Sequence, residues 1–397
     1  MMLLLLLLYA QEAAALGPQR RVVVVGGTGR VGASTAAHLR RLAPDDVRIE
    51  ICARTKRGFA RASRRWPEVG AMPFVAADLD DAASLRRALA GADLAVHAAG
   101  PFQGKRRPEV LEAALEENCA YVDVCDETEL CKLVKTAAYA GRAAKPCVVS
   151  AGIWPGVSAM MARRAVERAI ADGAAYPKKV DFSFYTAGTG NAGPTIVSAT
   201  FLLLCTPALG FAGGVPEERE PWSDALDVAF ESLQGATRRC RLLDCPDAFT
   251  LGTALLEEFP GAPLDVTSRF STAPEIWNGL FGLSKRLIPD ALLADRGAMQ
   301  NLALFSEPVV RAVDAVVGAE NVMKVDVTDD RGEVFTVEHG HDDLETAVGL
   351  ATAAFGVEVL AGRIAPGIFW PADLPDDVAD RICATVKADP GTYLWSE

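Results

Sequence analysis

Apolar residues between positions 22 and 150 come in short, β-branched runs separated by amphipathic stretches, a pattern that predicts strands alternating with helices. The runs cover 22–25, 47–53, 73–76, 93–98, 120–124 and 147–150. Helix starts fall between them: Asp81 precedes a segment reaching Leu89, Pro108 suits the first turn of a helix through Glu117, and Thr128 suits the cap of the next. Six strands in this order predict a parallel, doubly wound sheet whose C-terminal strand ends border a ligand crevice.

The pattern changes after residue 156. A helix is expected over 157–171, an alternating strand over 179–185, and an apolar helix over 195–205 with Thr195 as its N-cap. Residues 206–222, rich in Pro and Gly, read as a loop. A strand is expected at 265–270, and a hairpin joins 323–328 to 334–339 around Asp329-Asp330-Arg331-Gly332. Asp342 and Glu345 open a last small-residue helix to about Gly362. The expected fold class is therefore α/β: a Rossmann sheet at 20–156, then an α+β domain on a largely antiparallel sheet at 157–341. Residues 342–397 form a C-terminal helix and tail packing back on the first domain.

Chemistry enters where the first strand stops. Gly26-Gly27-Thr28-Gly29-Arg30-Val31-Gly32 contains Gly-x-Gly-x-x-Gly between a strand and a helix, the arrangement that brings a dinucleotide diphosphate over helix N–H groups. In this reading Gly27 permits the tight turn, Gly29 the approach of the diphosphate and Gly32 the packing of helix on strand. An NAD site would end the second strand with Asp or Glu; this chain reads Ala53-Arg54-Thr55-Lys56-Arg57. Arg54 and Thr55 suit a 2′-phosphate, so NADP is the expected cofactor, with Arg30 as a second cation. Lys56 and Arg57 also read as a solvated helix start. Asp78 suits either the adenine amino group or a turn, and Ala98, Ala99 and Gly100 are small enough to border the nicotinamide ribose.

Candidates for the substrate side are less defined. Asp123 and Asp126 follow the fifth strand; Asp126 is a candidate acid or base, although capping the next helix is its more ordinary role. Tyr185 is a candidate proton donor and Arg269 a carboxylate clamp, although packing at the domain seam accounts for both. Gly190 and Thr195 form a candidate anion seat, with Phe102, Trp154 and Trp277 as candidate pocket walls. His339 and His341 stand two apart on a strand, but no third ligand follows in sequence, so no metal is expected.

Composition narrows the partners. The chain has 397 residues, half of them apolar, and a net charge of −12, and no basic stripe interleaves with aromatics, which argues against nucleic acid and for a small-molecule substrate. Nine scattered cysteines show neither disulfide nor zinc spacing. The run Leu3 to Leu8 is too short to span a bilayer, and residues 1–19 read as a leader or a mis-started gene model outside the fold.

Taken with His97-Ala98-Ala99-Gly100-Pro101-Phe102, Tyr121-Val122-Asp123-Val124-Cys125-Asp126 and Ala151-Gly152-Ile153-Trp154-Pro155-Gly156, the glycine motif resembles the saccharopine dehydrogenase-like family. Tyr185-Thr186-Ala187-Gly188-Thr189-Gly190, Phe270-Ser271-Thr272-Ala273-Pro274 and Pro366-Gly367-Ile368-Phe369-Trp370-Pro371 extend the likeness, which is similar to the plant plastid-type members. The resemblance implies an NADP-binding oxidoreductase, a second domain with the substrate site and homodimer contacts, and a plastid location, with the cytoplasm as alternative. It does not imply saccharopine as substrate. The nearest rival chemistry, that of short-chain dehydrogenases, needs Tyr-x-x-x-Lys, and none of the six tyrosines has Lys four places on. An NADP-binding sensor or scaffold without turnover is the alternative from another class.

Overall fold

The computed structural model describes residues 19–189 and 193–397, so residues 1–18 of the expected leader, and Gly190, lie outside the described residues. The first sheet has seven strands in the order β15-β6-β5-β4-β1-β2-β3. These are β1 (Arg20–Val25), β2 (Val47–Ala53), β3 (Phe74–Ala76), β4 (Leu94–His97), β5 (Ala120–Asp123), β6 (Pro146–Val148) and β15 (Gly367–Phe369), every pair parallel. The reversal between β4 and β1 opens the crevice expected at a switch point. The seventh strand comes from the C-terminal segment.

Valines 22 to 25 alternate between the two layers: Val22 and Val24 pack with helix α1 (Arg30–Leu42), Val23 and Val25 with α2 (Ala82–Leu89) and α3 (Glu109–Glu116). Both faces of the sheet are covered, which is why β1 is an unbroken apolar run. Asp81 caps α2 by accepting from the Ala83 and Ser84 amides. Helix α4 (Thr128–Val134) begins one residue after its N-cap, Glu127; the Thr128 hydroxyl instead reaches Asp244 Oδ2 at 2.6 Å, which corrects the capping role expected of it.

Helix α5 (Val157–Ala171) leads into a nine-stranded sheet, β10-β11-β12-β7-β13-β14-β16 with β8 and β9 to one side. Its strands are β7 (Pro177–Ala187), β8 (Ala208–Ala212), β9 (Val215–Arg219), β10 (Leu226–Phe230), β11 (Ala236–Leu242), β12 (Asp265–Ala273), β13 (Asn321–Asp329), β14 (Val334–His341) and β16 (Thr392–Ser396). All pairs are antiparallel except β7 with β12. The loop expected over 206–222 contains the hairpin β8–β9, turned by Gly213 (φ 56°) and Gly214 (φ 81°), the left-handed pair a two-residue hairpin needs.

The helices of this domain are α6 (Pro194–Leu203), α7 (Pro246–Glu258), α8 (Glu275–Leu287) and α9 (Arg296–Val317). Helix α6 starts at Pro194 with Gly193 as N-cap, so Thr195 is in the first turn and not the cap. Helix α10 (Leu344–Leu360), capped by Asp343 rather than Asp342, returns to pack along α1; Gly349 is required there, because a Cβ would meet Ser34 Oγ at 2.2 Å. Helix α11 (Asp376–Lys387) packs on α10, and β16 then joins the second sheet, so the tail binds both domains. Among the described residues, no helix is long and apolar enough to cross a membrane.

Candidate functional site

The glycine turn is built by contacts that exclude side chains. Gly26 takes φ 85°, and a Cβ there would sit 2.8 Å from Ala98 C and Ala99 N, so the turn lies directly against the strand-end peptide of β4. The left-handed turn residue is thus Gly26, while Gly27 fits against Val24 O and the Ile51 side chain. Gly32 packs helix on turn, with a Cβ falling 2.4 Å from Gly26 O. Gly29, the N-cap of α1, differs: among the described residues a Cβ would approach only Gly26 O, at 3.1 Å. That open side is what a diphosphate requires. Helix α1 has neither a side-chain cap nor an acidic residue in its first turn, so its dipole is not neutralised from within that turn. Thr28 completes the turn and Val31 follows in the first turn of α1. The cradle fits a dinucleotide.

Beyond β2, Arg54, Thr55, Lys56 and Arg57 are exposed, and no carboxylate ends the strand. Thr55 accepts from the Arg57 amide and so starts a short 3-10 turn, Lys56–Gly58. Gly58 folds this basic segment onto the glycine turn, since a Cβ would lie 3.0 Å from Thr28 Cβ. Asp78 Oδ1 accepts from the Asp80 amide, the turn-forming alternative.

The second domain reaches the same crevice. An added Cβ at Gly193 would stand 3.1 Å from Arg30 Cδ, and one at Gly100 would stand 3.7 Å from Thr195 Cγ2. The first turn of α6 thus lies between the glycine turn and the β4 loop. Arg30 is drawn toward Glu345 Oε2 at 3.5 Å, and Arg65 pairs with Glu345 and Asp343. Helix α9 holds both crevice walls: Arg296 donates to Pro101 O at 2.7 Å, and Asp314 accepts from the Thr189 amide and hydroxyl.

At the ends of β4 and β5 the polar groups are buried and connected. Tyr121 donates to Asp123 Oδ2 at 2.9 Å, leaving its oxygen to accept from His97 Nδ1 at 3.0 Å. Asp123 Oδ1 accepts from the Ser150 and Cys125 amides. Burial lifts the Asp123, Asp126 and Asp244 carboxyls to about 6, and Glu127 and Asp247 to about 7. Asp126 is half-buried, does not cap α4, and lies beside Gln103, whose Nε2 donates to Asp126 O. Asp247 joins the domains by accepting from the Gly156 amide and the Ser158 hydroxyl. Gln103, Glu127, Asp244 and Asp247 escaped the sequence reading; only Pro246, opening a helix between two acids, hinted at them.

These shifts fix a pH dependence. A carboxyl raised on folding makes the folded chain bind more protons, so its contribution to stability falls as pH rises toward the shifted value. Burial holds His38 near 4 and His97 and His339 near 3, and these oppose the trend increasingly as pH approaches and passes below the ordinary histidine value of 6.5. Lowering the pH from about 8 to about 7 should therefore raise the melting temperature, chiefly through Glu127 and Asp247. Asp247→Asn should flatten that slope; a midpoint that falls over this window would contradict it.

Four substrate-side candidates are packed or paired within the domains. Tyr185 lies on the face of β7 opposite Phe182 and Phe184, packed with Phe230 and Val322 beneath the Arg238 guanidinium, away from the crevice. Arg269 is 5% exposed and pairs with Asp181 at 3.1 Å and Asp224 at 2.6 Å, so its guanidinium is committed within the domain. Arg269→Ala should cost about 3 kcal/mol in denaturant unfolding by removing a buried guanidinium from between Asp181 and Asp224; intact stability with altered ligand binding would contradict this structural role. Phe102 is buried against His97 in the first-domain core. Trp154 likewise stacks on Phe184 in the second-domain core. His341 bonds Asp389 and the Asp343 amide, and no described group of three His, Cys, Asp or Glu could hold a metal.

Comparison with known proteins bears on this geometry. Residues 22–152 match the family "Saccharopine dehydrogenase NADP binding domain". Among solved structures, apo saccharopine dehydrogenase (L-Glu forming) from Saccharomyces cerevisiae superposes with a TM-score of 0.61 at 15% identity, covering 95% of this chain and 99% of that one. Pen from Bacillus thuringiensis covers 26% of this chain and 37% of its own, at 14% identity and a TM-score of 0.22, a likeness too slight to bear on the fold. No curated protein matches the chain. The segment that builds the glycine turn, the basic end of β2 and the buried β4–β5 cluster therefore matches a saccharopine dehydrogenase NADP-binding domain, and the chain as a whole shares the fold of the yeast enzyme.

Proposed function

We propose that the chain is an NADP(H)-dependent oxidoreductase moving hydride to or from an imine, amine or carbonyl carbon of a small, carboxylate-bearing substrate. The observation that carries this reading is the glycine turn seated on the Ala98–Ala99 peptide beside a strand end that is basic and lacks an acid. In it, Gly26 to Gly32 hold the diphosphate by main-chain amides, Arg54 and Thr55 take the 2′-phosphate, Asp78 meets the adenine, and Ala98 to Gly100 border the nicotinamide ribose. The coenzyme, when bound, supplies or accepts the hydride. Asp126, its carboxyl raised to about 6 by burial, holds or releases the proton. Thr195, in the first turn of α6 across from Gly100, meets the substrate carboxylate.

A panel of amino and keto acids, followed by NADPH absorbance and fluorescence with purified protein, tests the reading. Turnover with a member of the panel is expected. The close approach of Thr195 to Gly100 favours a second reading, an NADP-binding sensor or scaffold whose second domain blocks the nicotinamide side. Tight NADPH binding without turnover across the panel would select it. We further place the protein in the plastid, in line with the resemblance to plastid-type members; residues 1–40 fused to a fluorescent protein should reach that compartment, and cytoplasmic fluorescence would refute it.

A further inference from the structure

Arg296 is a cation without an acid among the described residues. It opens α9 after the N-cap Asp295, whose carboxylate is taken up by the Ala298 amide at 2.8 Å. Its Nη2 donates to Pro101 O at 2.7 Å, and its Cδ lies 3.6 Å from where a Cβ on Gly104 would stand. Its Nε is buried and has no acceptor among the described residues. Other cations placed around the crevice are paired: Arg30 with Glu345 at 3.5 Å, Arg65 with Asp343 at 2.9 Å, Arg311 with Asp314 at 3.2 Å and Lys105 with Glu109 at 3.0 Å. A guanidinium in the first turn also stands at the positive end of the α9 dipole, which an anion would relieve.

Gln103, on the loop that Arg296 braces, is 1% exposed and unmatched in the opposite sense. Its Nε2 donates to Asp126 O at 3.1 Å. A carbonyl only accepts, so that contact fixes the amide's orientation and makes the remaining atom the oxygen. Gln103 Oε1 is buried and has no donor among the described residues. Buried polar groups are seldom left unpaired in folded proteins. Here an unmet donor and an unmet acceptor border one short stretch, Pro101 to Gly104, directly after the Ala98–Gly100 segment that Thr195 faces.

We propose that Arg296 and Gln103 are the pair that selects the substrate: the guanidinium takes its carboxylate, and Gln103 Oε1 accepts from an N–H donor carried beside that carboxylate. The inference deepens the oxidoreductase reading and rests on it for the place of the reacting carbon. A planar carboxylate meets a guanidinium edge through two parallel hydrogen bonds, which a lysine cannot offer. Thr195, exposed across from Gly100, adds a hydroxyl next to the residue whose carbonyl Arg296 holds. A nitrogen held at Gln103 stands beside Asp126, the group given the proton. A keto acid would bring Gln103 Oε1 a second acceptor and no proton, so the pair favours small amino and imino acids over keto acids.

Isothermal titration of the NADPH-loaded full chain with L-alanine, propionate and L-alaninamide tests the pair, because the probes differ only in the two groups it reads. Alanine should bind with a dissociation constant on the order of millimolar. Alaninamide, without the carboxylate, should bind about 30-fold more weakly, and propionate, without the N–H donor, about 10-fold more weakly. Arg296→Lys keeps a donor for Pro101 O but replaces the fork with a point charge, so alanine affinity should fall about 10-fold while NADPH affinity and melting temperature hold. Gln103→Leu should erase the preference for alanine over propionate. Equal binding of alanine and alaninamide overturns the proposal, and so does the absence of heat with alanine. An Arg296→Lys chain that binds alanine as the wild type does, or that loses NADPH affinity in equal measure, also overturns it and leaves Arg296 a brace for the loop. Absence of heat with NADPH instead defeats the coenzyme reading, and the same three titrations on the chain alone then decide this proposal by the same outcomes.

Discussion

Gly32→Ala should lower NADPH affinity by on the order of 100-fold and reduce the melting temperature by several degrees. The added Cβ falls 2.4 Å from Gly26 O and 2.7 Å from Gly26 C. Moving Gly26 offers little relief, because the side on which it would carry a Cβ is closed by the Ala98–Ala99 peptide, 2.8 Å from that position. Helix α1 must therefore lift from the turn, and with it the amides that would face the diphosphate. Gly29→Ala separates binding from folding. Among the described residues its Cβ meets only Gly26 O, at 3.1 Å, so NADPH affinity should fall while the melting temperature holds. Calorimetric titration and a thermal melt of both variants check the pair; Gly32→Ala with wild-type affinity would show that the turn does not hold the coenzyme.

Arg54→Asp should cost about 100-fold in NADPH affinity and little in NADH affinity. Two effects act together: a cation suited to a 2′-phosphate is lost, and a carboxylate suited to a free ribose hydroxyl appears at the end of β2. Arg54 is exposed at that strand end, and Gly58 holds the basic turn against Thr28, so the change should leave the fold alone. Equal losses for both nucleotides would refute the phosphate assignment.

The first domain was legible because its first six strands are compact apolar runs with helices between them, and at Asp81 the helix start carries its cap as well. Strand β15 was not, since three residues more than two hundred positions from β6 give no periodic signal. The hairpin β8–β9 had a readable cue in Gly213-Gly214, hidden by the surrounding Pro and Gly. Tyr185 and Arg269 show a harder limit. Strand β7 is buried on both sides from Val180 to Ala187, so alternation says that two faces exist but not which one meets the crevice. The carboxyls Glu127, Asp244 and Asp247 look like ordinary surface acids in sequence; only the meeting of two domains buries them.

The central claim is that the crest of the amino-terminal sheet binds a 2′-phosphorylated dinucleotide. Isothermal titration of the full chain with NADPH and with NADH tests it most directly. One NADPH per chain, bound at least tenfold more tightly than NADH, is the predicted result, and no heat with either nucleotide would contradict the account.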